Sequence, residues 1–506
     1  MALSIPLTGL ASSDVVPGSY VEVNFAQGAA SSGTMSYPVL LMGNRTTAGS
    51  ATVDTTLYGP DTATQCTTQA EADALFGARS ELARMFRDFA RINKDTPLYC
   101  LAVTESVGVA ASGTVTIATT ATANGSVRVY VGEEWAEASI TSGDTATTIA
   151  AALVTAINAK TDWPVTAGNT AGVITLTAAL KGPRGNLIRI SGQIFGSGVG
   201  TTASPTTPTV LSSGATADSN TTALATIITK RFGYIVSSAV DATQLGAIVT
   251  QITSQALPTT GIRQAAIFGS VDTLANATTL ATGINSARAE CVWLQNSDVV
   301  PAEMAARAAA IYTLHESNLA GKRGLNFDDY GTGDGENTRW SVKAPRTGTT
   351  PTRANLKSAL ENGITPIAVA LNGTTTIVKR ITTRCLNGSV PDFRIRDAHK
   401  RTICDRFGDD VRVAGVLQLS GKSIGDDPAA GQKPPGRQVI TPRVMRALVI
   451  KKLREYAEND LLQNVDQTIA DLIVQRETAS PTRMMARIPL QPIDILDQSG
   501  FVVDQL

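Results

Sequence analysis

Short apolar runs alternate with amphipathic segments through the middle of the chain. Each run has the length of a strand, and the segment after it carries apolar residues at helical spacing. The runs lie at 234–238, 263–271 and 290–295, and the helical segments at 241–256, 272–288 and 301–319. This alternation predicts βαβ units and a mostly parallel sheet covered by helices on both faces.

The same pattern is present nearer the start of the chain. Apolar runs at 37–43 and 98–103 predict two further buried strands. Between them, Thr67 or Thr68 is placed to cap one long helix that reaches about residue 92. The apolar residues of this segment recur at helical spacing, so we expect one face of the helix to pack on the sheet.

Residues 104–220 have a different composition, because Thr, Ala, Ser and Gly dominate and charges are few. β-prone runs lie at 113–118, 126–131, 135–140 and 173–180, with a helix predicted at 145–159 and loops at 182–186 and 196–220. The α/β pattern resumes afterwards. We therefore interpret this part as a Thr/Ala-rich α+β domain inserted into an α/β core.

The pattern of apolar residues in the last third of the chain predicts a C-terminal α+β domain. Helical patterns lie at 395–407, 442–458 and 464–475, and strand patterns follow at 484–490 and 493–503. The fold class is thus α/β and α+β multidomain, and we expect extended arms at both ends of the chain.

One strand is predicted close to the N-terminus, at 19–25. Tyr20, Glu22 and Asn24 share one face of this strand, and Val21, Val23 and Phe25 share the other. An isolated strand must find a partner sheet. The residues themselves leave open an ordinary edge strand of its own domain. The preceding residues lack the positive start of a signal peptide, so we expect an arm.

The clearest local signal spans residues 355–383. A helical segment ends at Gly363, a residue suited to the left-handed backbone conformation that terminates helices. Two β-prone runs follow, and Asn372-Gly373 between them is typical of a tight hairpin. Nothing in this stretch is catalytic.

This helix, the NGIT after it, the glycine turn and the Arg-Ile-Thr-Thr strand resemble the signature of contractile bacteriophage tail sheath proteins, specifically the Mu-like branch. The segments 17–24 and 76–86 are similar to other sheath segments. One departure is present, since Arg384 and Cys385 stand where an aromatic residue is expected.

Composition agrees with an assembly subunit. The 506 residues, enough for about three domains, include 43 Lys and Arg against 43 Asp and Glu. A neutral chain is unlike a whole-chain binder of nucleic acid or of anionic membranes. No apolar run is long enough to span a membrane. The five cysteines have neither zinc-ligand nor redox spacing, which predicts unpaired thiols in a reducing compartment.

Few residues suggest chemistry. Neither His315 nor His399 has a nucleophile and an acid in a catalytic motif. The segment 182–186 lacks the Lys-Ser/Thr ending of a phosphate-binding loop. The acidic loop 328–336 has carboxylates for Ca²⁺ but not the EF-hand spacing, and a solvated or interface loop is the alternative. We predict no catalytic, cofactor-binding or metal site.

One charge pattern rises above background. Residues 391–454 carry 14 Lys and Arg against 7 Asp and Glu, mostly on two helical segments. This excess marks a solvated face, a nucleic-acid surface or a surface for an acidic protein, and the lack of interleaved aromatics disfavours single-stranded nucleic acid. The candidate residues are Arg443, Arg446, Lys451 and Arg454, with Lys400 and Arg401 as secondary candidates.

The resemblance implies a structural subunit and not an enzyme. A sheath protein of this kind polymerises as helically stacked, six-fold rings around a tail tube. Contraction then drives the tube through the host envelope for genome delivery. The implied partners are further copies of the chain, the tail tube, the baseplate and the tail terminator, without direct contact to nucleic acid or membrane. The implied location is the virion tail, after assembly in the host cytoplasm.

The resemblance also assigns parts of the chain. It implies an N-terminal arm at 1–30, a loosely subtilisin-like core at 31–103 plus 221–384, an inserted outer domain at 104–220, an inner domain at 385–490 and a C-terminal arm at 491–506. The basic residues would face the acidic tube. Pairing between subunits would use the arm residues Tyr20, Val21, Val23, Phe25, Ile495, Phe501, Val502 and Val503.

Two other classes of function are weighed against this one. An α/β hydrolase-like enzyme requires a nucleophile–His–acid set, which the motifs do not provide. A Thr-rich surface adhesin requires export, which the N-terminal sequence does not favour.

Overall fold

The computed structural model describes residues 38–316, 325–326, 342–347, 349–392, 396–429, 436, 438–478 and 480–494. The strand predicted at 19–25, the acidic loop 328–336 and all but the first two residues of the strand predicted at 493–503 lie outside the described residues. Among the helices of the described part, none is both long and apolar enough to cross a membrane.

Most helices lie where the sequence predicts them. The described helices are α1 Gln69–Phe76, α2 Glu81–Ile92, α3 Ala146–Asn158, α4 Thr221–Thr226, α5 Ala242–Gln255, α6 Leu274–Ile284, α7 Pro301–Glu316, α8 Arg353–Glu361, α9 Ala398–Leu419, α10 Pro442–Glu458 and α11 Val465–Asp471. Their caps follow local chemistry: the side chains of Thr68, Thr145, Asp241 and Thr352 each accept a backbone N–H of the first turn.

The strands form one large sheet and several smaller ones. They are β1 Val39–Asn44, β2 Leu57–Tyr58, β3 Leu98–Val103, β4 Ala110–Ile117, β5 Gly125–Val131, β6 Glu134–Ile140, β7 Val165–Thr170, β8 Val173–Lys181, β9 Arg189–Phe195, β10 Ala203–Ser204, β11 Thr209–Val210, β12 Tyr234–Ser237, β13 Ala265–Ser270, β14 Ala289–Trp293, β15 Leu325–Asn326, β16 Ile364–Val369, β17 Thr375–Ile377, β18 Leu386–Asn387, β19 Val390–Pro391, β20 Ser423–Ile424, β21 Val439–Ile440, β22 Ile473–Arg476 and β23 Met484–Arg487.

The large sheet has the order β15-β17-β16-β14-β13-β12-β1-β3-β2. Its six central strands pair in parallel, whereas β2, β15 and β17 pair antiparallel at the edges. The predicted hairpin at the Asn372-Gly373 turn joins β16 to β17, and Gly373 has a φ of +84°. The mostly parallel sheet is thus confirmed.

Helices cover both faces of this sheet, as the alternation predicts. Leu41 packs in a core with residues of α1, α2 and α7, while its neighbour Leu40 packs on the opposite face with residues of α4, α5, α6 and α8. Because strand side chains alternate between faces, a strand such as β1, whose first four residues are apolar, is buried on both sides. The sheet is therefore the centre of a three-layer α/β unit.

The prediction of a single long helix from Thr67 or Thr68 to about residue 92 is wrong in one respect. The chain forms two helices, α1 and α2, with Gly77 between them at a φ of +80°. A β-carbon at Gly77 would lie 2.1 Å from Thr46 Oγ1. The second helix then begins at its own cap, where Ser80 Oγ accepts the Ala83 N–H at 3.0 Å. Glycine here permits both the turn and the close approach.

Between β3 and β12 the chain leaves the large sheet and builds two four-stranded sheets, β10-β4-β8-β7 and β11-β9-β5-β6. We call residues 105–219 the β module. Helix α3 and the two sheets enclose a core of their own that includes Val127, Leu153 and Leu176. The segment begins and ends at one place, since the Ser106 N–H donates to Asp218 Oδ1 at 2.7 Å.

The β module contains strands that the sequence did not predict. Strand β7 carries only one fully buried apolar residue, Val165, among polar and small residues. In strand β9, Gly192 interrupts the run of strand-forming residues, and a β-carbon there would lie 2.7 Å from that of Ala203. Both strands owe their place to pairing with neighbours rather than to a strong local pattern.

The C-terminal part differs from the prediction at two elements. Helix α9 runs on to Leu419, well beyond the predicted end at residue 407. The helix predicted at 464–475 is wrong in its last part: α11 ends at Asp471, and β22 follows, paired antiparallel with β23. The α9 ring of Phe407 meets the α10 ring of Tyr456 edge-on, with centroids 5.0 Å apart.

Candidate functional site

Helix α10 carries the exposed part of the predicted basic surface. Its buried face, with Leu448, Val449, Leu453 and Tyr456, packs against α9 and the elements after it. On the other side, the side chains of Arg443 and Lys451 are 74% and 71% exposed, and Arg454 is also exposed. Two of them form only long ion pairs, since Arg443 Nε lies 3.9 Å from Asp427 Oδ2 and Lys451 Nζ lies 3.8 Å from Glu455 Oε1. Such loose pairs leave the positive charge accessible.

Arg446 does not share this exposed surface. Its guanidinium donates to the backbone carbonyl oxygens of Ile469 and Leu472, at the C-terminal end of α11. Carbonyls at a helix C-terminus carry partial negative charge and lack helical partners, so a guanidinium there stabilises the end. The sequence prediction placed Arg446 with Arg443 because the two lie one turn apart. The structure places it as a clamp between α10 and α11.

Arg401 and Lys400 are also held by partners within the chain. The Arg401 side chain is only 3% exposed, and its Nη2 lies 3.0 Å from Glu290 Oε1 on β14. Lys400 Nζ pairs with Asp494 and lies 3.8 Å from Asp397 Oδ2. Arg401 is therefore not available on the surface of the folded chain, and Lys400 keeps only partial exposure.

The first half of α9 lies on the core through buried ion pairs. Arg288 donates to both carboxylate oxygens of Asp405 at 2.9 Å, and Arg263 Nη1 lies 2.5 Å from Asp409 Oδ1. Burial alone would raise the pKa of Asp405, but these guanidiniums and that of Arg401 hold its pKa below the ordinary value. Two of the acidic residues in the charge count, Asp405 and Asp409, are thus paired with arginines of the core.

The second half of α9 carries exposed apolar residues that the sequence does not predict. Val413, Val416 and Leu417 are 51%, 51% and 77% exposed. Their spacing places them on one side of the helix. The sequence predicts that this helix ends at residue 407, whereas it continues to Leu419 and includes all three residues. An exposed apolar stripe beside a basic helix is typical of a surface that meets another protein.

Among the described residues, the other candidates give no chemical site. His399 is buried, and burial lowers its pKa to about 4. The side chain of His315 lies outside the described residues, as do Tyr20, Val21, Val23, Phe25, Ile495, Phe501, Val502 and Val503. In the described part of the chain, no three His, Cys, Asp or Glu side chains are grouped as metal ligands.

Part of this chain is similar in sequence to a curated protein. The Mu-like prophage FluMu tail sheath protein of Haemophilus influenzae is 32% identical over 203 residues, which is 39% of this chain and 40% of that protein. The match thus spans two fifths of the relative's length. Over this stretch it confirms the resemblance to Mu-like tail sheath proteins. No family model matches the chain.

Solved structures of low sequence identity are also similar. A sheath tail protein of Listeria innocua has 13% identity, a TM-score of 0.49, and coverage of 95% of this chain and 97% of that one. A sheath tail protein of Desulfitobacterium hafniense has 13% identity and a TM-score of 0.47, and the match covers 94% of this chain and 97% of that one. A chain of the anti-feeding prophage baseplate has 10% identity, a TM-score of 0.45, and coverage of 100% and 99%.

Proposed function

We propose that this chain is a structural subunit of a contractile phage tail sheath and not an enzyme. The observation that carries the proposal is its 32% identity over 203 residues to a curated tail sheath protein. The sheath-like segment around the Asn372-Gly373 hairpin supports it from the residues themselves. The subunits form stacked six-fold rings around a tail tube, and contraction of the lattice drives the tube through the host envelope. The sheath is assembled in the host cytoplasm and remains part of the virion.

The proposed partners follow from the same function. Copies of the chain pair through the strands predicted in the two arms, and the sheath meets the tail tube, the baseplate and the tail terminator. The ribbon of β22 and β23 is a suitable acceptor for an arm strand. Within the described residues it is a two-stranded sheet, so each strand presents one edge of unpaired N–H and C=O groups. Added strands bind such edges through main-chain hydrogen bonds.

We assign the parts of the chain accordingly. The α/β unit with its large sheet, 31–103 and 221–384, is the core of the subunit, and the inserted 104–220 is an outer domain. Residues 385–490 form the inner domain, which faces the tube. The segments 1–30 and 491–506 are the arms.

Within the inner domain, the residues we propose for contact with an acidic tube are Arg443, Lys451 and Arg454. All three are exposed, and the ion pairs of Arg443 and Lys451 are long. Lys400 is a weaker candidate. Arg446 and Arg401 are withdrawn from this role because both guanidiniums are held by groups within the chain. Many weak, screened ion pairs suit a surface that must grip and later release, since each exposed pair contributes only about 0–1 kcal/mol.

Negative-stain electron microscopy of the purified full-length protein tests the proposal. Tubes or stacked rings, at protein concentrations where an unrelated monomer stays dispersed, are the expected result. Uniform globular particles under all salt and protein concentrations would contradict it.

A further inference from the structure

One face of the β module carries aromatic side chains where polar ones are expected. Along β5, Val127, Val129 and Val131 point into the core, so Ser126, Arg128 and Tyr130 point outward. On the neighbouring strands, Trp135 lies opposite Tyr130, Glu137 and Gln193 lie opposite Arg128, and Phe195 lies opposite Ser126. We call Arg128, Tyr130, Trp135, Glu137, Gln193 and Phe195 the aromatic face.

The groups of this face are in contact with one another. The Arg128 guanidinium carbon lies 5.3 Å from the ring centre of Trp135 and 4.7 Å from that of Phe195. The rings of Tyr130 and Trp135 are 6.2 Å apart between centroids. Arg128 Nε also donates to Glu137 Oε2 at 2.9 Å. Cation–π contacts and the ion pair thus hold the side chains in place before any ligand arrives.

The indole of Trp135 is 46% exposed, whereas Trp163 and Trp293 are buried. A half-exposed indole beside the Tyr130 ring is not required by the fold, because the core of the β module lies on the opposite side of the sheet. Contiguous exposed apolar surface with interleaved polar groups marks a site of binding.

The chemistry of the face selects its ligand. A second cation, Arg346, stacks on the Tyr130 ring at 4.3 Å and pairs with Asp298. The positive charge of Arg128 is balanced by Glu137 and that of Arg346 by Asp298, so the face has no net charge to attract a nucleic acid or another polyanion. A purely apolar ligand would strip water from the guanidinium, carboxylate and amide groups between the rings. A sugar ring has a flat face of C–H groups, which suits aromatic rings, and a rim of hydroxyls, which pairs with planar donors and acceptors.

We propose that the aromatic face binds a neutral saccharide. Trp135 and Phe195 lie on either side of the central strand, in rows four residues apart, which is about 13 Å along the strand. The face is therefore long enough for more than one sugar ring. This inference does not depend on the sheath function, because it concerns a surface of the β module alone.

The test uses the full-length protein and three neutral probes, maltohexaose, cellohexaose and chitohexaose. Binding is measured by titration calorimetry and by the change in tryptophan fluorescence that follows when a ligand covers Trp135. We expect saturable binding of at least one probe. Trp135→Ala should weaken it roughly tenfold, while Trp135→Phe should keep part of the affinity. Val210→Ala is the matched control, since Val210 is 47% exposed on β11 of the same sheet.

The proposal is overturned if none of the probes binds, or if Trp135→Ala leaves the affinity unchanged while its circular dichroism matches that of the parent. It is also overturned if the face is a contact between copies. In that case Trp135→Ala would change the sedimentation of the protein in the absence of sugar, and the probes would not compete with that association. Polygalacturonate is added as a charged comparison. Binding restricted to this probe and lost at about 0.5 M salt would overturn the proposal and show an electrostatic site instead.

Discussion

Arg307 and Asp88 form an ion pair of 2.7 Å between Nε and Oδ2, and neither side chain is exposed to solvent. The same guanidinium reaches Glu133 Oε1 at 2.5 Å through Nη2. Asp88 lies on α2, Arg307 on α7 and Glu133 in the turn between β5 and β6. One buried arginine therefore joins two helices of the α/β unit to the β module.

Arg307→Met should destabilise the protein by about 3–5 kcal/mol, because it leaves Asp88 and Glu133 buried without this partner. Urea unfolding followed by circular dichroism measures the loss. Lys357→Ala is the control: Lys357 and Glu361 form a pair of 3.6 Å with side chains 76% and 48% exposed. Its removal should cost less than about 1 kcal/mol. Equal losses for the two variants would contradict a structural role for the buried pair.

His399 should make stability depend on pH. Burial lowers its pKa to about 4, and this outweighs the effect of Asp397, which would raise it. Between about pH 6.5 and pH 4 the unfolded chain binds a proton that the folded chain does not, so the free energy of unfolding falls as pH falls through this window. His399→Gln should remove that part of the slope, on the order of 3 kcal/mol in total.

The measurement is urea unfolding of both proteins at several pH values from 4 to 7.5, compared as a difference. The difference isolates His399 from Glu303, whose pKa is raised to about 7 by burial and which therefore contributes a slope of the opposite sign. Parallel stability curves for the parent and His399→Gln would show that the imidazole titrates alike in both states.

Deleting residues 1–27 should leave a folded, soluble chain that does not polymerise. The large sheet and the β module are built from residues after 37, so their cores keep all their strands. The predicted arm strand, by contrast, supplies main-chain hydrogen bonds to another copy. Thermal unfolding by circular dichroism checks the fold, and negative-stain microscopy checks assembly. Tubes of normal appearance from the truncated chain would refute the role of the arm.

Excision of the β module should preserve assembly at a cost in stability. Its ends meet at Ser106 and Asp218, so a short Gly/Ser joint can close the gap. However, Glu81 would lose its 2.8 Å partner Arg184, and Arg307 would lose Glu133. Adding Glu81→Gln to the excised chain should restore part of the stability, since it removes an unpaired buried carboxylate.

Urea unfolding of the excised chain with and without Glu81→Gln measures this effect, and microscopy measures assembly. A chain that stays insoluble in both forms would mean that the β module is needed for the core to fold.

Reversing the exposed charges of α10 should release the sheath from its tube. The triple change Arg443→Glu, Lys451→Glu and Arg454→Glu should leave folding and self-assembly intact. It should abolish co-sedimentation with purified tail tube and remove the salt dependence of that step. Lys357→Glu, a change at an equally exposed lysine outside the inner domain, is the control. Arg446→Glu should instead lower stability, because its guanidinium caps α11.

Tube binding that survives the triple change would show that the exposed positive charge is only a solvated face. Loss of self-assembly in the triple variant would place these residues between copies of the sheath.

Elements with strong local signals could be predicted from the amino-acid sequence. Strand β3 and helix α10 have the predicted bounds. Strand β3 is a run of six residues of which most are apolar, set between polar segments. Helix α10 begins at Pro442, and its apolar residues recur along one face. The parallel sheet followed from the alternation of such elements. The resemblance to tail sheath proteins likewise rested on a contiguous segment.

The partner of each residue, by contrast, depends on how the chain folds in three dimensions. The break between α1 and α2 depends on the approach of Thr46 to Gly77, thirty-one positions later in the chain. Arg401 and Arg454 both lie on helices predicted to be basic. Arg401 is buried and pairs with Glu290 on a distant strand, whereas Arg454 is exposed. Charge and periodicity are properties of neighbours along the chain. Burial and pairing are set by contacts between residues far apart in sequence, and these decide whether a charge supports the fold or remains on the surface.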